Sequence, residues 1–372
     1  MKIALCGGGT AGHFYPILAV VEEIRKLEPQ AEFFYLGGKF GLEATLVPKA
    51  GLDFFGIPVG KMRRYFDWRN FIDPFRAFLG IFQSLQIFSR NRPDVLFAKG
   101  GFVSVPPALA ARILGIPVVL HESDAIPGLA NRFLARFANS ICIPFLSAHN
   151  YFPAAKTILT GNPVRSIFFD DVALSMESSA LLRNYGLSTH EEVVLVMGGS
   201  QGAQNINKLI FENLENLLGV AQVLHLVGQN NFQEALGIKE KLSPSQKLKY
   251  VPFAYLENEL PAVMSLATLI ISRAGAGALA EISALGKPSI LIPISKSANG
   301  HQQVNAKHFA EAGAALVVEE GPDASGLIAK INLLLENREM LARMSLSAKK
   351  LATEKTAEKI AKVILARGLK KQ

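Results

Sequence analysis

One pattern constrains this chain more than any other. Short aliphatic runs alternate with helix-length amphipathic stretches from end to end, and the alternation restarts halfway. In the first half the runs are KIALCG (2–7), EFFYLG (32–37), DVLFAKGG (94–101) and PVVLHES (117–123), with a helix expected from about His13 to Glu28. In the second half they are VVLVMGGSQG (193–202), QVLHLVG (222–228), LKYVPF (248–253), LIISRAGA (269–276), SILIPI (289–294) and ALVVEE (315–320). Aliphatic runs without polar alternation are strands buried on both faces, and strands separated by helices build a parallel sheet. Two such series predict an α/β fold of two Rossmann-like, doubly wound domains facing across a cleft. The turn at Gly161-Asn162-Pro163 marks the division, giving domains at 1–163 and 164–352. Residues 353–372 read as a Lys-rich closing helix that either caps the second domain or crosses back to the first.

With 372 residues, 49% of them hydrophobic and 19% charged, the chain can fill two cores and is too apolar to be disordered. Cys6 and Cys142 are too few for a disulfide framework and lack metal-ligand spacing, so both read as buried thiols of a reducing compartment. The opening MKIALCGGG has too short an apolar run for a signal peptide. No stretch approaches the ~18 apolar residues of a membrane span. These features predict a cytoplasmic protein. The net charge of +8 is unevenly placed: residues 1–165 carry a Lys+Arg surplus of 7, residues 166–372 a surplus of 1. An acidic partner is therefore expected on the first half.

Each half opens with a glycine-rich turn between a strand and a helix, Gly7-x-Gly9-x-x-Gly12 and Gly198-Gly199-Ser200-Gln201-Gly202. Glycines let a backbone approach an anion, and the N–H groups and dipole of the following helix favour a phosphate there. The first turn resembles a dinucleotide fingerprint, but Leu36-Gly37-Gly38-Lys39 closes the second strand without the carboxylate that would hold a ribose. A nicotinamide or flavin cofactor is therefore disfavoured, and no cofactor is expected. The alternative use of these glycines is close packing of helix on strand. His13 stands at the start of the first helix, where the helix dipole disfavours its protonation; a neutral imidazole beside an anion site suits a general base. A capping or core role is the alternative.

Residues 61–92 interleave Lys61, Arg63, Arg64, Arg69 and Arg76 with Tyr65, Phe66, Trp68, Phe71, Phe75, Phe78 and Phe82. Asp73-Pro74 reads as an N-cap followed by proline at the first helical position. From there Phe75, Phe78, Phe82 and Leu85 share one helical face. That stripe suits core packing, whereas the aromatic and basic cluster before it suits an anionic membrane surface. No RNA-binding signature is present, and no nucleic-acid partner is expected.

Seven motifs occur in order. They are Gly8-Gly9-Thr10-Ala11-Gly12-His13 with Pro16, Lys99-Gly100-Gly101-Phe102-Val103-Ser104-Val105-Pro106, Ile116-Pro117-Val118-Val119-Leu120-His121-Glu122, Thr160-Gly161-Asn162-Pro163-Val164-Arg165, Gly198-Gly199-Ser200-Gln201-Gly202-Ala203, Ser272-Arg273-Ala274-Gly275-Ala276 with Glu281, and His301-Gln302-Gln303-Val304-Asn305-Ala306. Together they resemble glycosyltransferase family 28, and within it the bacterial enzymes that turn lipid I into lipid II in peptidoglycan synthesis. The resemblance implies a GT-B architecture. It also implies an inverting transfer of N-acetylglucosamine from UDP-N-acetylglucosamine to the 4-hydroxyl of the muramoyl sugar on undecaprenyl diphosphate, at the cytoplasmic face of the inner membrane. His13 would be the base, with Asp124 and Glu122 as competitors. Donor contacts would come from Thr10, Ala11, Gly12, Asp124, Arg165, Ser200, Gln201, Gly202, Leu256, Arg273, Gly275, Ala276, Glu281, Gln302 and Gln303. Of these, Leu256 would lie on the uracil, Glu281 on the ribose hydroxyls, and Gln302 and Gln303 on the sugar. Acceptor contacts would come from Gly9, Thr10, Gly12, His13, Gly100, Gly101, Phe102, Ser104 and Asn131. The membrane patch would be Arg63, Arg64, Trp68, Arg69, Phe71, Phe75, Phe78 and Phe82.

There is no Asp-x-Asp, and Asp170-Asp171 reads as a solvated turn, so no metal is expected at the reaction centre. Arg165 has an alternative role as a domain-linking ion pair. Three positions depart from the family pattern: Ala11 for glycine, Phe102 for tyrosine, and Asp124 for asparagine. The last matters most, because a carboxylate only accepts where an amide also donates. Other readings are a different UDP-sugar enzyme of the same architecture, such as an epimerase or a glycolipid synthase, and a non-catalytic UDP-sugar- or lipid-binding subunit.

Overall fold

The computed structural model describes residues 1–8, 11–60, 69–199, 202–295, 300–320 and 324–369. The chain divides into two compact units, Met1–Arg165 with Lys355–Gln372, and Ser166–Glu354.

The first unit runs β1 (Lys2–Cys6), α1 (Ala11–Leu27), β2 (Glu32–Gly38), α2 (Glu43–Lys49), β3 (Asp53–Ile57), α3 (Arg69–Asn91), β4 (Val95–Ala98), α4 (Val105–Ile113), β5 (Val118–His121), α5 (Leu129–Leu134), β6 (Ser140–Ile143) and β7 (Thr157–Leu159). Among the described residues its strands form one sheet in the order β3-β2-β1-β4-β5-β6-β7, and every pairing is parallel. The reversal of order at β1 and β4 puts a switch point beside the first glycine turn, where open α/β sheets bind ligands. β3, β6 and β7 carry no strong strand signature. DFFGI and SICI are short and interrupted by small residues, and β7 is a largely exposed edge.

The second unit runs α6 (Asp171–Tyr185), β8 (Val193–Met197), α7 (Gln204–Glu212), α8 (Leu214–Leu218), β9 (Gln222–Leu226), α9 (Phe232–Lys241), α10 (Pro244–Lys249), β10 (Tyr250–Phe253), α11 (Leu260–Leu266), β11 (Leu269–Ser272), α12 (Ala276–Leu285), β12 (Ser289–Leu291), α13 (His301–Glu311), β13 (Ala315–Val317), α14 (Ala324–Glu336) and α15 (Arg338–Leu351). Its parallel sheet has the order β10-β9-β8-β11-β12-β13, the same winding as in the first unit. Asp170 and Asp171 are more than a solvated turn, since the Asp170 carboxylate caps α6 by accepting from Ala173 N at 3.0 Å.

The closing helix, α16 (Thr356–Leu369), packs on α1 in the first unit. Ala357, Ile360, Ala361 and Ile364 are buried there with Ile3, Leu5, Ile17, Val20 and Ile24. Arg367 Nε donates to Ser140 Oγ at 2.9 Å. A stripe of small and aliphatic residues at helical spacing is what lets a helix lie this close to its neighbour.

The expected start of the aromatic helix is corrected. α3 is already helical at Arg69, so Pro74 lies inside it rather than at its first position. Asp73 is buried, with its backbone carbonyl against Gly60, and does not act as the cap. A proline one turn into a helix forfeits a single i→i−4 bond, a loss that the packing of the rest of the helix outweighs. The C-terminal half of α3 packs on α4 and buries Ser84 and Phe88, with Leu85 partly buried against the same core.

Candidate active site

In the first unit β1 ends at the glycine turn and hands the chain to α1, with His13 in its first turn. Gly9 and Thr10 lie outside the described residues, and only the backbone of Ala11 is described. Part of the turn serves packing. Glu43, at the start of α2, is buried and accepts from Gly38 N at 3.1 Å, and a Cβ at Gly8 would collide with its carboxylate. A carboxylate thus does reach the end of β2, but it comes from the next helix and is turned inward.

His13 is half-buried, and its Nε2 faces Gly101. Gly101 has φ +77, and a Cβ there would lie 3.0 Å from Gly8 O and 3.5 Å from His13 Nε2. Only glycine holds this turn without strain and without crowding the Gly8 carbonyl. Burial, then the charge of Lys99, pushes His13 down to about 4 against an opposing hydrogen bond at the Lys99 backbone. The neutral imidazole expected from the sequence is therefore present at neutral pH. Its causes are burial and a neighbouring cation, where the helix dipole had been the expected one.

The loop after β5 is tied by its own polar groups. Glu122 is buried and receives four N–H donors: Ser123 N (2.6 Å) and Asp124 N (2.9 Å) on Oε1, and Gly128 N (3.2 Å) and Asn131 Nδ2 (2.8 Å) on Oε2. Burial and the Asp124 charge raise its pKa, while the bonds from Asp124 N, Asn131 and Ser123 N oppose the rise. Asn131 also donates to His121 O at 3.3 Å, and its Oδ1 is buried without a partner among the described residues. Asn162 Nδ2 donates to Ser123 O at 2.9 Å, so the Thr160–Arg165 motif holds the same loop. Ser104 Oγ donates to Gly100 O at 2.7 Å. Gly100 and Gly101 both take positive φ ahead of the half-buried Phe102. Arg165 stacks over the Tyr15 ring, 5.2 Å from its centroid, and its charge acts on Glu22. Lys99 begins the Lys99–Pro106 motif, and nothing in the sequence marks it as a site residue. It is buried at the end of β4, and its ammonium donates to Ser123 Oγ.

In the second unit Ser200 and Gln201 lie outside the described residues. Gly199 and Gly202 on either side have φ +95 and +78. Asp170, Ser243 and Asn337 cap α6, α10 and α15 with side-chain bonds, whereas the N-cap residues of α7, α12 and α13 (Ala203, Gly275 and Gly300) make none, as is also the case at α2, α4, α5, α8, α9 and α11. The leading N–H groups of α7, α12 and α13 are the kind that hold anions. Gly275 and Ala276 open α12, and half-buried Glu281 lies further along it. Leu256 is buried in the loop after β10.

The helix-opening motif at 301–306 orders the loop before it. Gln302 Oε1 accepts from Ile294 N at 3.0 Å, and Gln303 Nε2 donates to Ile294 O (2.7 Å) and Ser295 O (3.0 Å). Asn305 donates to Ala274 O at 3.2 Å. Arg273 donates through Nη1 to Ile292 O at 2.9 Å and pairs through Nη2 with Glu320. Glu320 was not singled out in the sequence. It also accepts from Asn205 Nδ2 (2.8 Å) and from Ser295 N and Oγ (3.1 Å each), joining the first turn of α7 to the loops after β11, β12 and β13. Burial raises its pKa, but the bonds from Arg273, Asn205 and Ser295 and the Arg273 charge bring it down to about 2. Its only sequence signal is that it closes the run ALVVEE.

Residues 3–143 match the glycosyltransferase family 28 N-terminal domain, and residues 193–363 the glycosyltransferase family 28 C-terminal domain. A relative from Clostridium botulinum (strain Hall) is 40% identical over 339 residues, covering 91% of this chain and 92% of its own length. It bears the name UDP-N-acetylglucosamine–N-acetylmuramyl-(pentapeptide) pyrophosphoryl-undecaprenol N-acetylglucosamine transferase. A relative of the same name from Bacillus cytotoxicus is 37% identical over 366 residues, covering 98% of both chains. Among solved structures, Acinetobacter baumannii MurG has a TM-score of 0.72 at 24% identity, covering 98% of this chain and 99% of that one. The UDP-GlcNAc 2-epimerase of Neisseria meningitidis, solved with UDP-GlcNAc bound, has a TM-score of 0.70 at 16% identity, covering 100% of both chains. Those two likenesses show a shared fold. The family domains over both units and the 37–40% identity along nearly the whole chain go further: this chain belongs to glycosyltransferase family 28.

Proposed function

We propose that this chain transfers N-acetylglucosamine, with inversion, from UDP-N-acetylglucosamine to the 4-hydroxyl of N-acetylmuramyl pentapeptide on undecaprenyl diphosphate. The observation that carries this reading is the end-to-end likeness to relatives bearing that name. In the reaction the acceptor oxygen bonds to the sugar C1, the C1–phosphate bond breaks, and UDP leaves with the electron pair. One in-line displacement requires one base and forms no covalent enzyme intermediate.

His13 is that base. It is neutral near pH 7 and sits at the opening of α1 beside the Gly100-Gly101 turn. Glu122 is the weaker competitor because its carboxylate anchors four donors; Asp124 remains the alternative. The first unit takes the acceptor along Gly9, Thr10, Gly12, Gly100, Gly101, Phe102, Ser104 and Asn131. The second takes the donor, with the diphosphate at the Gly198–Gly202 turn, the ribose at Glu281, the uracil at Leu256, and the sugar at Gln302 and Gln303. The positive-φ Gly199 and Gly202 ahead of α7 support an anionic donor there, because preorganised N–H groups stabilise the charge that builds on departing UDP.

The membrane contact is α3. Phe75, Phe78 and Phe82 are 72%, 70% and 56% exposed, and Leu79 is exposed with them. Their stripe faces solvent instead of filling a core. Arg63, Arg64 and Trp68 lie outside the described residues, as do the side chains of Arg69 and Phe71. Among the described residues no helix is long and apolar enough to cross a membrane. An apolar helix face beside cations suits peripheral docking on anionic lipid, here the cytoplasmic face of the inner membrane.

The test is UDP release from UDP-N-acetylglucosamine by purified protein, with and without a lipid I analogue. Release that depends on the acceptor is expected. No release, or release indifferent to the acceptor, overturns the reading.

A further inference from the structure

A hydrogen-bonded network of three side chains crosses the core of the second unit. His225 on β9 is fully buried, and its ring centroid lies 5.4 Å from that of Phe211 on α7 and 6.2 Å from that of Tyr250 on β10. Its Nδ1 is 3.2 Å from Tyr250 Oη, and its Nε2 is 3.1 Å from Asn207 Oδ1. Asn207, also buried, donates through Nδ2 to Val227 O at 2.8 Å. The requirement that buried donors meet acceptors fixes the protons. Turning the Asn207 amide over would set Oδ1 against the Val227 carbonyl, two acceptors face to face, so Nδ2 points at Val227 and Oδ1 at His225. Oδ1 only accepts, so His225 Nε2 carries the proton, and Nδ1 accepts from the Tyr250 hydroxyl. Burial lowers His225 to about 3, in keeping with a neutral ring.

The network ends at the second glycine turn. Val227 directly follows β9 and is fixed by its own N–H, which donates to Phe253 O at 3.0 Å. A Cβ on Gly202 would lie 2.5 Å from Val227 O, so Gly202 packs its bare Cα directly on this carbonyl. Gly202 N also closes the turn on Gly199 O at 2.9 Å. Asn207 stands one helical turn past the N-cap Ala203, and its own N–H donates to Ala203 O at 2.8 Å. One amide therefore ties the start of α7 to the carbonyl on which the glycine turn rests. Ile206 and Ile210 bury α7 in the core by themselves, so the helix forms without that amide. What the amide fixes is where the turn sits relative to the end of β9.

We propose that His225 and Asn207 are positioning residues for the donor: the imidazole orients the Asn207 amide, and the amide holds the Gly198–Gly202 turn and the leading N–H groups of α7 in place for the diphosphate before the nucleotide arrives. The inference rests on the proposed binding of the diphosphate at that turn. Groups already fixed in their bound arrangement lose less entropy on binding, so the network acts on nucleotide affinity. Neither side chain touches the nucleotide.

The test is UDP affinity, by calorimetry on the full-length protein, in wild type, His225→Phe, Asn207→Leu and the double variant. Each single variant should raise the UDP Kd roughly tenfold. The double variant should bind no more weakly than Asn207→Leu alone, because the imidazole acts only through the amide. It also replaces both partners of the buried bond with apolar groups, which keeps the test open if a single variant fails to fold. The KM for UDP-N-acetylglucosamine should rise with the Kd while the acceptor KM stays, a split that a residue serving only stability would not cause. Nitrogen NMR of histidine-labelled wild type should show His225 protonated on Nε2. An unmoved Kd in the folded variants overturns the inference, as do additive losses in the double variant or a proton on Nδ1. Calorimetry needs no acceptor, so a wild type that binds UDP without acceptor-dependent release fails the transferase reading and not the network. A wild type that binds no UDP overturns the donor placement and this inference with it.

Discussion

Replacing the exposed phenylalanines of α3 tests the membrane contact with a magnitude set by the structure. Complete removal of a phenylalanine side chain from water contributes about 1.5–3 kcal/mol. Phe78 exposes 70% of its surface, so its insertion among lipid headgroups contributes about 1–2 kcal/mol. Phe78→Ser should therefore weaken partitioning onto vesicles about 5- to 30-fold. Phe75 and Phe82 are 72% and 56% exposed, and the triple serine variant should lose more than about 100-fold if the three insert together. Because these rings contact solvent and not the core, the same variants should change folding stability by only about 0.5 kcal/mol or less each. The assay is co-sedimentation with phosphatidylglycerol vesicles over a range of lipid concentration, with thermal unfolding as the control. A triple variant that pellets as wild type does would refute the docking face. A triple variant that loses its folded state would refute the solvent-facing stripe.

Three further outcomes follow from other parts of the molecule. His13→Ala should lower kcat by about 10²–10⁴ while UDP affinity, measured by calorimetry, stays within about threefold; near-normal turnover would move the base to Asp124. Ile364→Ala, a truncation on α16 within the core of the first unit, should destabilise it by about 2–5 kcal/mol in urea unfolding, and a loss below about 1 kcal/mol would contradict the packing of α16 on α1. Glu320→Gln should cost stability in a pH-dependent way. The folded carboxyl titrates near 2 and an unfolded glutamate near 4.3, so the wild-type advantage is full above about pH 5 and fades as pH falls toward 2. Equal gaps at pH 7 and pH 3 would contradict the Glu320 hub.

The alternation of aliphatic runs with helical stretches, and the glycines that end two of those runs, determined two parallel sheets and the sites of both turns. This was legible because strand burial, helix length and positive-φ turns are local properties of the chain. His13 was legible for the same reason, as the residue that opens the helix after a glycine turn. What surrounds these residues was not, because contacts made across a sheet join positions far apart in sequence. Lys99 meets Ser123 from a neighbouring strand, Glu43 reaches Gly8 from another helix, and Glu320 gathers Asn205 from α7 and Arg273 and Ser295 from two other loops. The docking of α16 on α1 likewise depends on a partner more than 300 residues away. Periodicity placed Phe75, Phe78 and Phe82 on one face of a helix, but a core and a membrane call for the same face. Only the packed structure, which turns Phe88 inward and leaves those three rings in solvent, took them out of the core.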